Sequence, residues 1–336
     1  MTKKENILII SLGRTPPVIP ETLDALLERN IYIKRTYIVT TSDETILHKC
    51  IKMVENDFNK HYLKKNMELK PYSCILGKDD IYTQRDNLEL MIKAGSLFKM
   101  ESNNNIYVSM AGGRKTMSAA MALLAQIYNA RAITHVLVSP EIEAKGSIYQ
   151  LEKMTEAERE KILHPKEKRL ILFPVIGISW MLNDIINALK GFQGSIIRKE
   201  STEILKINGL IGDNNEPTEL GSMLLDLVSD IQNYPEHSSK LPFEKLKLKS
   251  NEPHAPKGHR KFVERLSLIS FIDSIIGVKF VNSSKTRINE DNSAGEISCQ
   301  FSDGNKAYVF KIITTAKTKG QNKMVRKYIE PLFHKK

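Results

Sequence analysis

The chain has 336 residues, which is too long for one small hydrophobic core, so we expect two or three domains. Hydrophobic residues make up 41% and charged residues 26%, a balance typical of soluble globular proteins, and no apolar run reaches the ~20 residues of a membrane-spanning helix. Three scattered cysteines, Cys50, Cys74 and Cys299, form neither a disulfide framework nor a zinc-binding pattern. We therefore expect a cytoplasmic protein without a metal site or a cofactor.

Positive charge is concentrated in the last third of the chain. The formal net charge is +11. From Lys240 onward there are 20 Lys and Arg against 9 Asp and Glu, whereas the first 239 residues hold 30 of each sign. A concentrated basic region indicates a polyanionic partner, although a solvated lysine-rich surface would have the same composition.

Strand-like and helical patterns alternate through the first half of the chain, beginning with "ENILIISL", which we interpret as a first strand rather than a signal peptide. Strands are predicted at residues 5–12, 35–42, 70–77, 105–110, 133–140 and 170–177. Helical patterns separate them, including an alanine-rich helix at 117–130. This alternation predicts an α/β fold of Rossmann type, with a parallel sheet covered by helices on both faces.

Polar segments follow three of these strands, at Ser11–Thr15, Thr40–Ser42 and Ser109–Thr116. Ligands of such sheets bind at the carboxyl ends of the strands, so the three segments are expected to converge on one edge. In "AGGRKT", two glycines allow backbone N–H groups to approach a ligand, a helix start adds unpaired donors, and two cations add charge. An anionic ligand fits this loop, although a tight turn with solvent-facing cations would look the same.

Differences from two known phosphate-binding motifs narrow the class of ligand. Arg114 stands where the ATP-binding P-loop pattern requires a second glycine, so ATPase activity is disfavoured. The loop after the first strand, "SLGRTPP", is too poor in glycine to wrap a dinucleotide pyrophosphate, so a dinucleotide cofactor is disfavoured as well.

The segments "ISLGRTPPVIPETLDAL" and "SMAGGRKTMSAAMALLA" together resemble the CARF family, the sensor domains of type III CRISPR systems. The resemblance covers residues 1–177 and implies a homodimer that binds one cyclic oligoadenylate, most often cyclic tetra-adenylate, across its two-fold axis. It also implies that the sensor can cut its ligand slowly, with Lys115 and Ser11 positioning a ribose 2′-OH. By position, the resemblance assigns the ligand pocket to Ser11, Gly13, Arg14, Thr15, Ala111, Gly112, Gly113, Arg114, Lys115 and Thr116.

Short helical patterns at residues 178–240 predict a helical or winged-helix module, as is typical of CARF proteins. A stretch rich in Pro, His, Ser and Lys, residues 233–259, is predicted to be a linker. The last domain, 241–336, is predicted to be a small α+β unit with a helix pair at 260–277, three strands and a basic tail.

This last domain resembles the RelE toxin family in its length, element order and charge. The resemblance implies cleavage of mRNA on the ribosome without a metal: the 2′-OH attacks the adjacent phosphate while cations stabilise the developing charge. It assigns catalysis to Lys285, Arg287, Lys317, Lys319 and Lys323. The family's terminal tyrosine has its nearest counterpart in Tyr328, which comes a few residues late.

Other nuclease patterns are weaker. One R-x(4)-H match to the HEPN family of nucleases, Arg159–His164, lies among the sensor's last strands, and "NEDN" (289–292) is interpreted as a loop rather than as a metal-dependent nuclease site. The sequence therefore predicts a cyclic oligoadenylate-activated endoribonuclease of antiviral defence. The alternative is a ligand-responsive regulator that binds DNA through the winged helix.

Overall fold

The computed structural model describes residues 4–41, 45–73, 81–178, 182–190, 199–240, 242–248, 258–288, 295–302 and 304–334. The chain divides into two compact units, Met1–Ile231 and Gln232–Lys336, each built around its own sheet. The finer division into domains at 1–177, 178–240 and 241–336 stays a prediction. Among the described helices, none has the length and apolar character that crossing a membrane requires.

The first unit contains a six-stranded sheet in the order β3-β2-β1-β4-β5-β6. Its strands are β1 (Asn6–Ser11), β2 (Arg35–Thr40), β3 (Glu68–Ser73), β4 (Asn105–Ser109), β5 (Ala132–Val138) and β6 (Lys168–Phe173). The first five strands in this order are parallel, which confirms the predicted α/β class. The edge strand β6 runs antiparallel to β5, a pairing that parallel sheets tolerate at an edge and that alternation alone does not reveal.

Buried apolar runs explain the central strands. Leu8 and Ile10 point to one face of the sheet and pack in a core with Leu23 and Phe58, while Ile7 and Ile9 on the opposite face are also fully buried. A strand that is covered on both faces needs a continuous apolar run rather than alternating apolar and polar residues. β1 has such a run, Ile7–Ile10. The helices of this unit and the following segment are α1 (Val18–Leu27), α2 (Thr45–His61), α3 (Gln84–Met100), α4 (Lys115–Ile127), α5 (Pro140–Lys145), α6 (Ile148–Leu151), α7 (Glu156–Leu163), α8 (Leu182–Leu189), α9 (Lys199–Ile207) and α10 (Glu219–Asn233).

Local sequence sets several helix starts. Thr83 and Asp86 form a reciprocal capping box before α3, and Thr155 and Glu158 form another before α7. In the predicted winged-helix segment, the described residues form α8, α9, α10 and a single β-bridge between Ile211 and Pro217. A wing stays a prediction.

The second unit contains a five-stranded sheet in the order β7-β8-β11-β10-β9. Its elements are β7 (Leu246–Lys247), α11 (His259–Ser267), β8 (Ile272–Asn282), β9 (Arg287–Ile288), β10 (Glu296–Ser302), β11 (Lys306–Thr314) and α12 (Lys319–His334). β7 is parallel to β8, and the remaining pairs are antiparallel. The ring of Phe262 on α11 stacks on Phe301 and meets Phe310 and Phe333, so both helices pack on one face of this sheet.

Two sequence predictions in this unit are wrong. The stretch 260–277 is not a helix pair, because α11 ends at Ser267 and β8 begins at Ile272. The β-branched residues of β8 favour a strand, where they pack well on the pleated sheet. The stretch 233–259 is not only a linker, because β7 joins the sheet and Lys245 is buried, donating from Nζ to the Ile269 carbonyl at 2.8 Å. Ser42, Cys74 and residues 289–292 lie outside the described part of the chain.

Candidate functional site

The order of strands places two polar loops side by side in the first unit. β1 pairs with both β2 and β4, so the strand order reverses between β1 and β4. Ile10 pairs with Ser109, and the two strands therefore end at the same level. A reversal of this kind opens a crevice at the carboxyl edge, where doubly wound sheets bind their ligands. The loops that follow Ser11 and Ser109 flank this crevice.

Backbone shape, rather than side-chain size, defines the loop after β4. Gly112 and Gly113 have φ values of +91° and +71°, which lie in the left-handed region that favours glycine. A Cβ on Gly112 would lie 2.5 Å from the Ser11 carbonyl oxygen, and a Cβ on Gly113 would lie 3.1 Å from Ser11 Oγ. Close approach and conformation therefore both require glycine at position 112, whereas at position 113 the positive φ is the main requirement.

Ser11 and Gly13 hold the two loops together. Ser11 is fully buried, and its Oγ donates a hydrogen bond to the Gly112 carbonyl at 2.9 Å. A Cβ on Gly13 would lie 3.2 Å from Gly113 Cα, so the two loops touch through their backbones. Ala111 is also buried, and its N–H donates to Ser109 Oγ. These residues position the loops from below.

The exposed surface of the two loops is cationic. Arg14, Arg114, Lys115 and Thr116 are exposed, and Thr15 is half-buried. Arg114 is the N-cap of α4, where its side chain makes no capping hydrogen bond, and the first turn of α4 carries no acidic residue. The positive end of the helix dipole therefore adds to the charge of the side chains. This arrangement can hold an anion.

One buried acid lies beneath this edge. Glu21, in the first turn of α1, is 5% exposed. Burial, and then the charge of Glu143, raise its pKa to about 7, while Lys168 acts in the opposite direction. The third polar segment contributes less surface, because Thr40 and Thr41 are both buried.

In the second unit, one row of residues crosses four strands of the sheet. Lys279 on β8 pairs with Val309, Val309 pairs with Gln300, and Gln300 pairs with Arg287 on β9. Directly paired residues share a face, and this is the face opposite the one that carries Phe310 and Phe301. Lys279 and Arg287 are exposed at the two sides of the row. Lys279 is not among the residues predicted from the sequence, although it lies in a predicted strand.

Gln300 fixes the segment that carries Lys285. Its Nε2 donates to Ser283 Oγ at 2.7 Å and to the Lys285 carbonyl at 2.8 Å. Ser302 adds two bonds, from its Oγ to the Ser283 carbonyl and from its N–H to Thr286 Oγ1. Lys285 is exposed. We call Lys279, Lys285 and Arg287 the edge cations.

The other three predicted catalytic residues lie elsewhere. Lys317, Lys319 and Lys323 are exposed around the start of α12, and we call them the helix-start cations. Lys317 pairs with Glu236 at 2.8 Å. Val309 lies in the same row as Arg287, and it comes five residues before the end of β11, beyond which the helix-start cations lie. Five residues of a strand span ~17 Å, so about this distance along β11 separates the edge cations from the helix-start cations. The structure does not bring them together at one point.

Two further motif residues have other partners. Arg159 donates to the carbonyls of Leu151 and Met154, whereas both ring nitrogens of His164 face carboxylates, so the R-x(4)-H match does not form one site. Tyr328 is half-buried, and its ring packs 5.8 Å from that of Tyr234.

Residues 15–209 match the model of a protein family described as CRISPR-associated protein NE0113 (Cas_NE0113). Among solved structures, the chain is similar to Enterococcus italicus Csm6 bound to cyclic hexa-2'-fluoro-hexa-dAMP, at 13% identity and a TM-score of 0.38, over 68% of this chain and 56% of that one. It is also similar to UDP-GlcNAc 2-epimerase from Neisseria meningitidis bound to UDP-GlcNAc, at 14% identity and a TM-score of 0.27, over 62% and 55% of the two chains. The chain thus spans about half the length of these structures, and both similarities are too remote to assign a ligand. No curated protein matches it.

Proposed function

Because the chain belongs to the CRISPR-associated NE0113 (Cas_NE0113) family, whose model spans residues 15–209, we propose that it is a cyclic oligoadenylate-activated endoribonuclease of type III CRISPR antiviral defence. The first unit binds the activator, and the second unit cuts mRNA on the ribosome. The observation that carries the proposal is the cationic, glycine-shaped loop pair at the strand reversal between β1 and β4.

A ring of phosphates suits this loop pair. Gly113, Arg114, Lys115, Thr116 and Arg14 form the surface that meets the ring, because all of them are exposed at the crevice. Backbone N–H groups at the start of α4 donate hydrogen bonds to phosphate oxygens, and the cations supply charge-assisted contacts. One ring lies across a two-fold axis, so that two copies of this loop pair share it.

The sequence resemblance assigns ring cleavage within the sensor to Lys115 and Ser11, and of these two only Lys115 is exposed. Ser11 is fully buried, and its hydroxyl hydrogen is already donated to Gly112. It therefore supports the loop rather than positioning a ribose.

RNA cleavage is assigned to the second unit, because all of the excess positive charge of the chain lies after residue 239. The 2′-OH attacks the adjacent phosphorus as it loses its proton, the bond to the 5′ oxygen breaks, and that oxygen takes up a proton. The products are a 2′,3′-cyclic phosphate and a 5′-OH, with no metal involved. Lys285 and Arg287 stabilise the charge that develops on the phosphate. Lys279, about 14 Å from Arg287 across three strand spacings, and the helix-start cations bind the flanking RNA backbone.

The test is cleavage in a translating ribosome preparation, with and without cyclic tetra-adenylate. We expect cut mRNA, with breaks mapped to ribosome-bound positions, only when protein and ring are both present. Cyclic hexa-adenylate is run in parallel because the ring size is an expectation from family frequency. Sequence-specific DNA binding that responds to the ring, with no RNA cleavage, would favour the DNA-binding regulator instead.

A further inference from the structure

A cluster of carboxylates and histidines lies between α1, α2 and α7 of the first unit, apart from the loop pair. On α2, Asp57 and His61 are one helical turn apart. On α7 and its C-cap, Glu160 and His164 have the same spacing. Each helix thus presents a carboxylate and a histidine in the i, i+4 relation that puts both on one face. The two faces meet.

The donor atoms converge at distances that suit one metal ion. One donor atom from each of Asp57, His61 and His164 lies within 4.8 Å of the other two. His164 Nε2 is 2.9 Å from Asp57 Oδ1, His61 Nε2 is 3.9 Å from Asp57 Oδ1, and His61 Nε2 is 2.8 Å from Glu160 Oε1. Ligands of tetrahedral zinc, with bonds of about 2.0–2.1 Å, lie roughly 3.3 Å from one another. The observed separations bracket that value.

His61 is the ligand whose ring nitrogen Nε2 makes no hydrogen bond. Its Nε2 is buried and has no hydrogen-bond partner, because its closeness to Glu160 lacks the direction of a hydrogen bond. A buried unsatisfied polar atom costs about 1–3 kcal/mol, and coordination by a metal would satisfy it.

A second layer of contacts orients His164. Its Nδ1 is 2.8 Å from Asp24 Oδ2, and Asp24 Oδ1 accepts a hydrogen bond from the Tyr62 hydroxyl at 2.7 Å. Metal-bound histidines commonly donate their second ring N–H to a carboxylate in this way. Nε2 lies 2.9 Å from Asp57 Oδ1, and a metal ion bound between them would take the place of the proton that they share.

The negative charge around the cluster would favour a bound cation. Asp24, Asp57 and Glu160 bring three carboxylates together, and Lys60, which pairs with Glu160, is exposed. Asp57 and Glu160 also line a cleft of about 670 Å³ between α2 and α7.

We propose that Asp57, His61 and His164 bind one zinc-class divalent cation that ties α7 to α2, with Glu160 beside His61 to orient it. Two imidazoles and one carboxylate favour Zn²⁺ over Mg²⁺ or Ca²⁺, which prefer oxygen ligands, and a water molecule would complete the tetrahedron.

The test uses the full chain, stripped of metal with a chelator and dialysed, and titrated calorimetrically with Zn²⁺ alone. We expect one Zn²⁺ per chain, a rise in Tm, and a visible absorption band typical of tetrahedral coordination when Co²⁺ replaces Zn²⁺. His61→Ala and Glu160→Gln should each weaken binding at least tenfold, and His61→Ala should lose the tetrahedral cobalt spectrum. Both side chains are partly exposed, so the fold should be retained.

His48→Ala is the matched control, since it removes an exposed histidine from the same helix. Its affinity and cobalt spectrum should equal those of the unsubstituted chain. The proposal is overturned if the unsubstituted chain does not bind Zn²⁺, or if His61→Ala and Glu160→Gln bind as it does. Neither readout uses the ring or RNA, so this outcome would leave the proposed function intact.

Discussion

The candidate site of the first unit is shaped by backbone, whereas that of the second unit is shaped by charge. In the first, Gly112 and Gly113 adopt left-handed conformations against Ser11, and a single added Cβ would collide. In the second, the cations on a sheet face and at a helix start are exposed to solvent. A backbone-shaped site should fail on small steric changes, and a charge-shaped site should fail on loss of charge. The difference also suits a precise ring sensor and a general RNA surface.

Gly112→Ala should have the largest effect, because it tests the backbone-shaped site directly. The new Cβ would meet the Ser11 carbonyl oxygen at 2.5 Å, at a φ that costs about 1–2 kcal/mol for a residue with a side chain. We expect no measurable binding of a fluorescent cyclic tetra-adenylate.

Gly209→Ala is the matched control for this change. Gly209 also has a positive φ, +67°, but nothing lies within 4 Å of its Cβ position. It should bind the ring normally. Equal ring binding by the two variants would show that the close approach to Ser11 does not matter.

Arg287→Ala and Lys285→Ala should lower the rate of mRNA cleavage by about 100- to 1000-fold, the typical loss when one preorganised donor is removed from a reacting phosphate. Ring binding should not change. Lys317→Ala should instead weaken RNA binding modestly and lower its salt slope by about one, because Lys317 lies among the helix-start cations.

Lys261→Ala, which removes an exposed charge from α11, is the control for these three variants and should leave cleavage unchanged. If Lys317→Ala lost as much activity as Arg287→Ala, the reacting phosphate would lie at the start of α12 instead. Near-normal cleavage by all the variants would remove the RelE-like assignment.

Glu21→Gln should change how stability depends on pH. The folded-state pKa, about 7, is raised above the ordinary value of 4.5 by burial and by Glu143. The folded chain therefore keeps a proton that the unfolded chain has released, and its stability falls as the pH rises from about 4.5 to 7, by about 3 kcal/mol in total. Urea titrations at pH 4.5 and 8 should show that Glu21→Gln is more stable than the unsubstituted chain only at pH 8. An equal difference at both pH values would argue against a buried proton.

Lys115→Ala tests the charge of the backbone-shaped site rather than its shape. A charge-assisted phosphate contact is worth about 1.5–3 kcal/mol, and a ring shared by two chains loses it twice, so ring affinity should fall by about 100-fold or more, measured by competition with a labelled ring. Lys153→Ala, an exposed lysine after α6, should have no effect. Unchanged affinity in Lys115→Ala would place the ring elsewhere.

The sequence predicted the first site better than the second, for a physical reason. Continuous apolar runs such as "ENILIISL" report burial on both faces, and glycines before a helix report a tight approach, so both signals are local. The separation of Arg287 from Lys317 depends on strand register, which pairs residues that are distant in the chain. In the same way, 103 positions separate His61 from His164, and only the fold brings their rings to 4.3 Å.

Isothermal titration of the full chain with cyclic tetra-adenylate tests the account most directly, because everything assigned to the second unit depends on a ring bound by the first. We predict saturable binding with one ring per two chains, since the ring is shared across a two-fold axis. Gly209→Ala should preserve this binding, and Gly112→Ala should abolish it. The absence of binding to both cyclic tetra-adenylate and cyclic hexa-adenylate, or identical binding by Gly112→Ala, would contradict the account.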